Sequence, residues 1–501
     1  MTDYDVTIVG SGMGGSILAR VLRAAGRRVA LVERHRHPRF ALGESSTPLA
    51  ALSLERLAAA SGLEDLHHLA THGRWLAQLP DLRRGRKRGF TFYRHWNGSA
   101  EPPDRLLAAA SPNDHTADAH WLRRDVDAHL VSRAATEGVE VLEETDVEAV
   151  VWGQSAVEVQ VRQGKSQRSL RTAVIVDATG PGGLLHRALL LPPGAPLRSR
   201  SSLVAAHFEG VHADDGQDDD PYPAPWAAVH HLLDEGWVYE LRFDHGVVSA
   251  GVLLRDPPTG PASLVWRNLL RRYPRLEAAY GDAKVVEPWL CRLNVQHRMA
   301  AAAGPRWIVL PNTFAFVDPL FSTGMAWTLL GIERIAALLD GDLDRRGIAD
   351  GSEFQRYATL LNRECEHLDR LIAGAYRAMP DFGCFAAVAC FYLAASSWCE
   401  ARQRLADLPN PEWQGLLGAD DPVLAPLGSA LRRRAEPTHC GYGAELQAWL
   451  MRRLAPRDIA GIDRYAATRR IPVDLDVLLQ RVDRLGCSVD TARERLPRLR
   501  G

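Results

Sequence analysis

The chain lacks a surplus of charge of either sign: 60 lysines and arginines stand against 61 aspartates and glutamates, a formal net charge of −1. Nothing in that balance favours nucleic acid or an anionic membrane surface as a partner. Paired cysteine spacing is also missing. The seven cysteines are an odd, scattered set with no Cys-x-x-Cys and no zinc spacing, so no metal site is expected and free thiols in a reducing, cytoplasmic compartment are. No membrane span is expected. The uncharged stretch from Cys384 to Cys399 is shorter than the ~20 residues a spanning helix needs, and it reads as a buried helix. The first residues run straight into an apolar strand and leave no space for a signal or transit peptide, so the mature chain is expected to start at Met1. Internal repeats are absent. What remains is a globular composition, 46% hydrophobic and 24% charged over 501 residues, enough for two or three domains with sizeable cores.

The most informative stretch is Val6-Thr7-Ile8-Val9-Gly10-Ser11-Gly12-Met13-Gly14-Gly15-Ser16. It reads as strand, turn, helix. Gly10 lets the chain reverse, Gly12 lets backbone approach a pyrophosphate, and Gly15 lets the helix lie on the strand, with the amides around Met13 and Gly14 facing the anion. A glycine turn alone is weak, and the deciding feature is a second strand ending in an acid about 20 residues on. Arg28 to Glu33 supplies it, with Glu33 placed to accept hydrogen bonds from a ribose diol. A basic, irregular segment from Arg34 to Phe40 follows, and Arg34, next to Glu33, is a candidate cofactor contact. No second glycine turn for a nicotinamide cofactor is found, so electrons are expected to come from a separate reductase or other donor.

Other segments carry two readings each. In Gly43-Glu44-Ser45-Ser46-Thr47-Pro48 the hydroxyl residues and the proline suit a helix start. Arg83 to Phe92 is, on charge alone, a solvated loop around Lys87. Leu106 to Ala119 reads as a loop, and His120 to Asp127 as the start of a helix whose Asp125 and Asp127 suit its positive end. Val157 to Val161 alternates as a half-buried strand. Ala173 to Asp177 is an apolar strand running into Asp177-Ala178-Thr179-Gly180, where Gly180 allows close backbone approach. Pro-rich and acidic loops around Asp214 to Pro225 precede the strand-like runs Trp237 to Phe243 and Val247 to Leu254. Trp237, Tyr239 and Leu241 would share one face of a strand, towards substrate or simply in the core. Trp307 to Pro311 is a buried strand. From Arg345 the pattern is helical, broken at Pro380, Pro409, Pro422, Pro437 and Pro456.

Gly-Glu-Ser followed closely by Pro, just after the dinucleotide turn, resembles the flavin-dependent halogenases and their relatives. The resemblance puts Glu44, Ser45 and Ser46 beside a flavin. Lys87-x-Gly89-x-x-Phe92, with Trp96 shortly after, is similar to the halogenase segment that carries an active-site lysine between flavin and substrate. There an ammonium holds hypochlorous acid or, with a pKa lowered by burial, donates a proton. Arg123 four residues before Asp127 is similar to the family's contact to the flavin ribityl or phosphate region. Asp177 to Gly180 resembles a second cofactor-side turn of FAD-dependent hydroxylases. Asp318-Pro319-Leu320-Phe321-Ser322-Thr323-Gly324-Met325 resembles the family's approach to the flavin. It implies Asp318 near the cofactor's polar tail, and amides from Ser322 to Gly324 stabilising negative charge on the ring or binding chloride. The likeness runs from residue 1 to about residue 340. It departs at Gly236 to Arg242, where the halogenases' Trp-x-Trp-x-Ile-Pro survives only in Trp237, with Tyr239, Leu241 and Arg242 in the other places. That departure favours oxygenating relatives.

The resemblance implies an α/β fold. A Rossmann-type FAD-binding domain (residues 1–70, 116–190 and 295–345) is interleaved with a substrate-facing sheet domain (71–115 and 191–294) and followed by a helical C-terminal region (346–501) that closes over the substrate site. The implied activity is FAD-dependent monooxygenation, in which reduced flavin and O2 give a C4a-hydroperoxide that hydroxylates an electron-rich aromatic. The substrate would be an indole, tryptophan or phenol, free or on a partner protein, as in relatives that oxygenate a tryptophan while maturing a quinone cofactor. The alternatives are a halogenase using Lys87 with chloride or bromide, a flavin-dependent prenyl reductase, and a non-catalytic flavin-binding module.

Overall fold

The computed structural model describes residues 3–213, 216–439 and 441–495. Met1, and Asp214 and Asp215 of the expected acidic loop, lie outside them. The apolar run Tyr4–Val9 is the middle of a parallel set. Trp307–Val309, Ser166–Asp177, Tyr4–Val9, Val29–Val32 and Glu140–Leu142 lie side by side in that order. Apart from Val141 and Leu142 of the edge strand, which are half-buried, their Val, Ile and Leu are buried on both faces, as parallel strands covered by helices require. The helices Met13–Ala24, Arg123–Thr136 and Thr323–Leu338 pack over them. Thr145–Trp152 and Val157–Gln163 extend the sheet as an antiparallel ribbon. In the latter, Val157, Val159 and Val161 are buried and Glu158 and Gln160 exposed, as the alternation predicts.

A second, nine-stranded sheet includes Ser202–Glu209, Val248–Leu254, Gly236–Arg242, Ala228–Leu232, Gly89–Arg94 and Asp104–Ala109 in that order. One face carries Phe90, Phe92, Trp237, Tyr239 and Leu241 into the main core. The other places Val204, Val238 and Val252 against Trp266 and Tyr280 of the helices Ala262–Leu270 and Pro274–Tyr280. Trp237, Tyr239 and Leu241 therefore do share a face.

Two expected loops are strands. Asp104–Ala109 pairs with Gly89–Arg94, setting Leu106 opposite Phe92 and Ala108 opposite Phe90, so burial of those apolar side chains overrides the loop-like composition. Asp118–Trp121 pairs with Arg84–Lys87, and the helix begins only at Arg123. The arginine-rich run is buried because its cations are partnered. Arg86 and Arg88 each reach Asp114, at 2.5 and 3.0 Å, and Arg86 lies 3.8 Å over the Trp226 ring.

The last third is helical, led by Gln355–Ala378 and Phe382–Leu405, which flank Pro380. Phe382–Leu405 is, among the described residues, the one helix long and apolar enough to cross a membrane, and 78% of its most apolar window is buried inside the protein. It is a core helix, capped by Asp381, which accepts from the Cys384 amide at 2.7 Å. Its far neighbour, the short strand Arg470–Ile471, adds to the outer edge of the second sheet beside Asp104–Ala109.

Candidate active site

At the end of Tyr4–Val9 the chain turns at Gly10 with φ +103°, and a Cβ there would stand 2.5 Å from the Ala178 carbonyl oxygen. A Cβ on Gly15 would lie 1.9 Å from the Gly10 carbonyl, so only glycine lets this helix start so close to its strand. Gly14 lies against Thr328 and Leu310 in the same way, and the Met13 side chain is in the core. Gly12 differs. A Cβ there would meet the guanidinium ends of Arg123 and Arg39, both at 3.6 Å, and the Asp127 carboxylate behind Arg123 at 3.8 Å. Two cations thus face the N-terminus of Met13–Ala24, a ready anion site. Arg123 is fixed by a bidentate pair to Asp127 (2.8 and 2.9 Å) and by the carbonyls of Leu42 and Gly43 (3.0 and 3.2 Å).

Glu33 is buried and accepts from the amide and hydroxyl of Ser11, both at 3.1 Å, and from the His35 amide at 3.0 Å. Burial pushes its pKa up, but the Arg39 cation and these amides outweigh that and hold it below the usual carboxylate range. Arg34 is exposed. Arg39, five residues on in the same basic segment, is the cation that reaches both Glu33 and Gly12. Sequence reasoning named Arg34 and not Arg39, because composition does not show which way a loop turns.

The Gly43–Pro48 loop crosses to the other end of this surface. The Ser322 hydroxyl donates to Ser45 Oγ at 3.1 Å, tying the loop to the N-terminus of Thr323–Leu338, where Ser322 holds a left-handed φ of +51°. Pro319 accepts from the Ser322 amide, while Met325 is buried. Gly324 faces the Asn312 amide group, 3.6 Å from where its Cβ would be, and Thr313 Oγ1 accepts from the Gly180 amide at 3.0 Å. Gly180, with φ +64°, has open space around it. Asn312 and Thr313 join the two turns, and the sequence reading missed both.

Three predicted contacts point elsewhere than expected. Asp177 is fully buried, its carboxylate occupied by Thr179 (2.7 and 3.0 Å) and the Leu185 amide (2.8 Å), so it shapes the turn and leaves Gly180 to the cofactor side. Glu44 faces buried His207 of the second sheet at 3.1 Å. Asp318 accepts from Tyr376 Oη (2.9 Å), Ser201 Oγ (3.2 Å) and the Leu320 amide (3.1 Å), and Trp237 Nε1 donates to Tyr376 Oη at 3.0 Å. It looks towards the C-terminal helices and the second sheet. Burial among neutral donors pushes its pKa up to about 7.

Lys87 lies between these two sheets. It is fully buried, its Nζ donates to the Ser46 carbonyl at 2.5 Å, and the ammonium stands 4.1 Å from the centre of the Phe90 ring. Desolvation lowers its pKa to about 8, and Asp118, across the strand pair, opposes that. His120 and His230 nearby are held neutral, down to about 3, by burial first and by the Lys87 charge second. Lys87 is the sole cation of an otherwise aromatic layer in which His230 lies 4.7 Å from Phe92 and 5.2 Å from Trp237.

Residues 3–218 match the model of an FAD binding domain family. The chain is 28% identical to a tetracycline 7-halogenase of Kitasatospora aureofaciens over 65% of its own length and 61% of that protein, so it spans less than two thirds of that relative. It is also 28% identical to the monodechloroaminopyrrolnitrin halogenase PrnC of Pseudomonas fluorescens, over 76% and 69%. Its fold superposes on the crystal structure of halogenase PltM in complex with phloroglucinol and FAD, with a TM-score of 0.83 and 22% identity over 94% of this chain and 99% of that one. The chain resembles the halogenase-like group of FAD-dependent enzymes. Residues 3–218 match an FAD binding domain, and the residues around it suit that cofactor: Gly12 with Arg39 and Arg123 could hold the pyrophosphate, Glu33 the ribose, and the turns at Ser45, Gly180, Asn312 and Gly324 the flavin half.

A partly open cleft adjoins this layer. It is lined by Pro48 and Phe90, by Tyr392, Ser396 and Glu400 of Phe382–Leu405, and by Ile471 of the edge strand. The Phe90 ring that lies under the Lys87 ammonium is thus also a wall of the cleft.

Proposed function

We propose that this enzyme is a flavin-dependent halogenase acting on an electron-rich aromatic substrate, with Lys87 as its catalytic residue. The observation that carries the reading is the burial of Lys87 between the Ser46 carbonyl and the Phe90 ring, one ring's thickness from the cleft. Bound FAD in its reduced form supplies the electrons with which O2 is activated and a halide is converted to hypohalous acid. The chain's own residues do the rest. The Lys87 ammonium donates a hydrogen bond to the oxygen of that acid, which leaves the halogen electrophilic. As the ring carbon–halogen bond forms and the halogen–oxygen bond breaks, the departing hydroxide takes up a proton from Lys87 and becomes water, and the ring proton then passes to the neutral Lys87 amine, which restores the ammonium. Phe90, Phe92 and Tyr392 exclude bulk water from this path.

The loss of the second tryptophan at Tyr239 favours hydroxylation, yet the curated relatives named above are halogenases, and they support the halogenase reading over the hydroxylase one. Only one dinucleotide turn is present in the sequence, so a separate reductase supplies the reduced flavin, and the aromatic substrate is taken free or on a partner protein. The test is product mass after turnover with FAD, a reductase system, O2, and indolic or phenolic substrates, with and without chloride or bromide. Halide-dependent mass gain is expected, and Lys87→Ala should abolish it while FAD still binds. Halide-independent oxygen incorporation would return the assignment to a hydroxylase, and oxygen-independent saturation of a prenyl chain would overturn both.

A further inference from the structure

A lysine that gives up a proton in each turnover has to be an ammonium again before the next, and the interior around Lys87 resists that. Burial disfavours the charged form. Of the side chains that face it, His120 of Asp118–Trp121 and His230 of Ala228–Leu232 are held neutral. Tyr392 of Phe382–Leu405 is a buried phenol whose ionisation is pushed upward. The Ser46 carbonyl accepts a hydrogen bond but carries no charge. In the same loop Glu44 faces His207, and Arg86 and Arg88 on either side of Lys87 are engaged by Asp114.

One charge opposes the burial. Asp118 stands directly across from Lys87 in the antiparallel pair of Arg84–Lys87 with Asp118–Trp121. The two side chains therefore rise from one face of that ribbon, with Cβ atoms about 5 Å apart. Both are enclosed, Lys87 at 0% and Asp118 at 1% exposure, so water screens the attraction little. The Asp118 charge acts against the desolvation of Lys87 and is felt as well at Tyr392 on the cleft wall. The next residue fixes the other partner of the lysine. The Ala119 amide donates to Ser46 Oγ at 3.3 Å, and the Ala119 carbonyl accepts from the Ser46 amide at 3.1 Å. One strand thus sets both the acceptor and the counter-charge of Lys87.

We infer that Asp118 is the positioning residue for Lys87, its buried carboxylate holding that side chain as an ammonium between turnovers. The inference rests on the reading of Lys87 as proton donor and deepens it. Asp118 makes and breaks no bond in the reaction; its charge favours return of the ring proton to the Lys87 amine.

The test reads the charge of Lys87 without turnover. Lysine labelled with 13C at Cε gives three signals in the FAD-loaded enzyme, because Lys87, Lys165 and Lys284 are the chain's lysines, and Lys87→Arg assigns the buried one by its disappearance. In Asp118→Asn the Lys87 ammonium should be lost at a proton concentration about tenfold higher than in the unmodified enzyme, and Asp118→Glu should restore most of the difference. Asp118→Ser removes the same charge, so whichever of the two neutral variants holds FAD decides. In halogenation, the alkaline fall of kcat/KM should move to lower pH by the same factor, with activity below the fall close to that of the unmodified enzyme. An unmoved Lys87 titration, or a rate lowered equally at every pH, would overturn the inference and leave Asp118 a strand partner only. A titration that moves as expected while the unmodified enzyme gives no halide-dependent product would sink the halogenase reading and leave the pairing of Asp118 with Lys87 standing.

Discussion

Lys87, Lys165 and Lys284 are the only lysines among the chain's 60 basic residues, and Lys87 is the one placed in the core. Where arginine is used at almost every other basic position, a compact ammonium whose pKa burial can move has a chemical reason to be kept. Its pKa falls from an ordinary 10.5 to about 8, so the native state holds this proton less tightly than the unfolded chain does. The charge therefore opposes folding most strongly below pH 8, and the opposition fades as pH rises from there towards 10.5. A drop of that size corresponds to about 3 kcal/mol. Lys87→Met should gain about 2 kcal/mol at pH 7, after about 1 kcal/mol is deducted for the Ser46 carbonyl left without its donor. Urea unfolding at neutral pH and above the lysine's pKa measures this, and a gain that did not shrink at the higher pH would show that burial of charge is not its source. In turnover, if Lys87 acts as the proton donor, the rate should fall as pH rises through about 8.

Among the elements, the chain from Trp237 through Tyr376 to Asp318 links a strand of the second sheet, the helix Gln355–Ala378 and the turn leading into Thr323–Leu338. Tyr376→Phe would leave the Trp237 indole and the Asp318 carboxylate each short of a partner, a loss of about 2 kcal/mol, readable as a lower Tm. With its pKa raised to about 7, Asp318 binds its proton more tightly in the native state. It is compatible with folding when protonated, and its charge opposes folding as pH rises through about 7. Asp318→Asn should therefore flatten the decline in stability between about pH 4, the ordinary carboxylate value, and about pH 7, above which the group is ionised in both states, and an unaltered slope would mean that another group sets it. This network also marks where sequence reading stops. Gly10 to Glu33 is legible because strand, turn and acid are contiguous and each glycine has a steric reason to be one. The Trp237 face was readable from alternation, but its partner Tyr376 is 139 residues away on a helix whose orientation no local pattern fixes. Arg84–Lys87 reads as a loop because its charge is visible in the sequence and the Asp114 and Trp226 that neutralise or cover it are not adjacent.

For the molecule as a whole, the decisive contact is the one that brings the end of the chain back to the second sheet. Arg470–Ile471 contributes Ile471 to the cleft and is tied down by Asp220, which takes Arg105 from the neighbouring strand at 2.8 Å and Arg470 at 3.4 Å. Asp220 is nearly fully buried, whereas the two arginines keep 16% and 30% exposure, so solvent and nearby Asp219 cushion its loss. Asp220→Ala should weaken this closure by about 2 kcal/mol, less than the 3–5 of a fully buried pair. The strand's amides at Arg470 and Ile471 would then exchange about 30-fold faster with deuterium, since about 1.4 kcal/mol is a factor of ten. FAD binding, built on the turns at Gly10 to Gly15 and Gly180 with Arg39 and Arg123, should hold, while KM for the aromatic substrate rises with kcat little changed. Unchanged exchange at these amides would show that the cleft wall is held by its apolar contacts alone. A loss of FAD together with substrate would show instead that the two halves of the site are not separable, and that closure of the C-terminal segment supports the cofactor cradle as well.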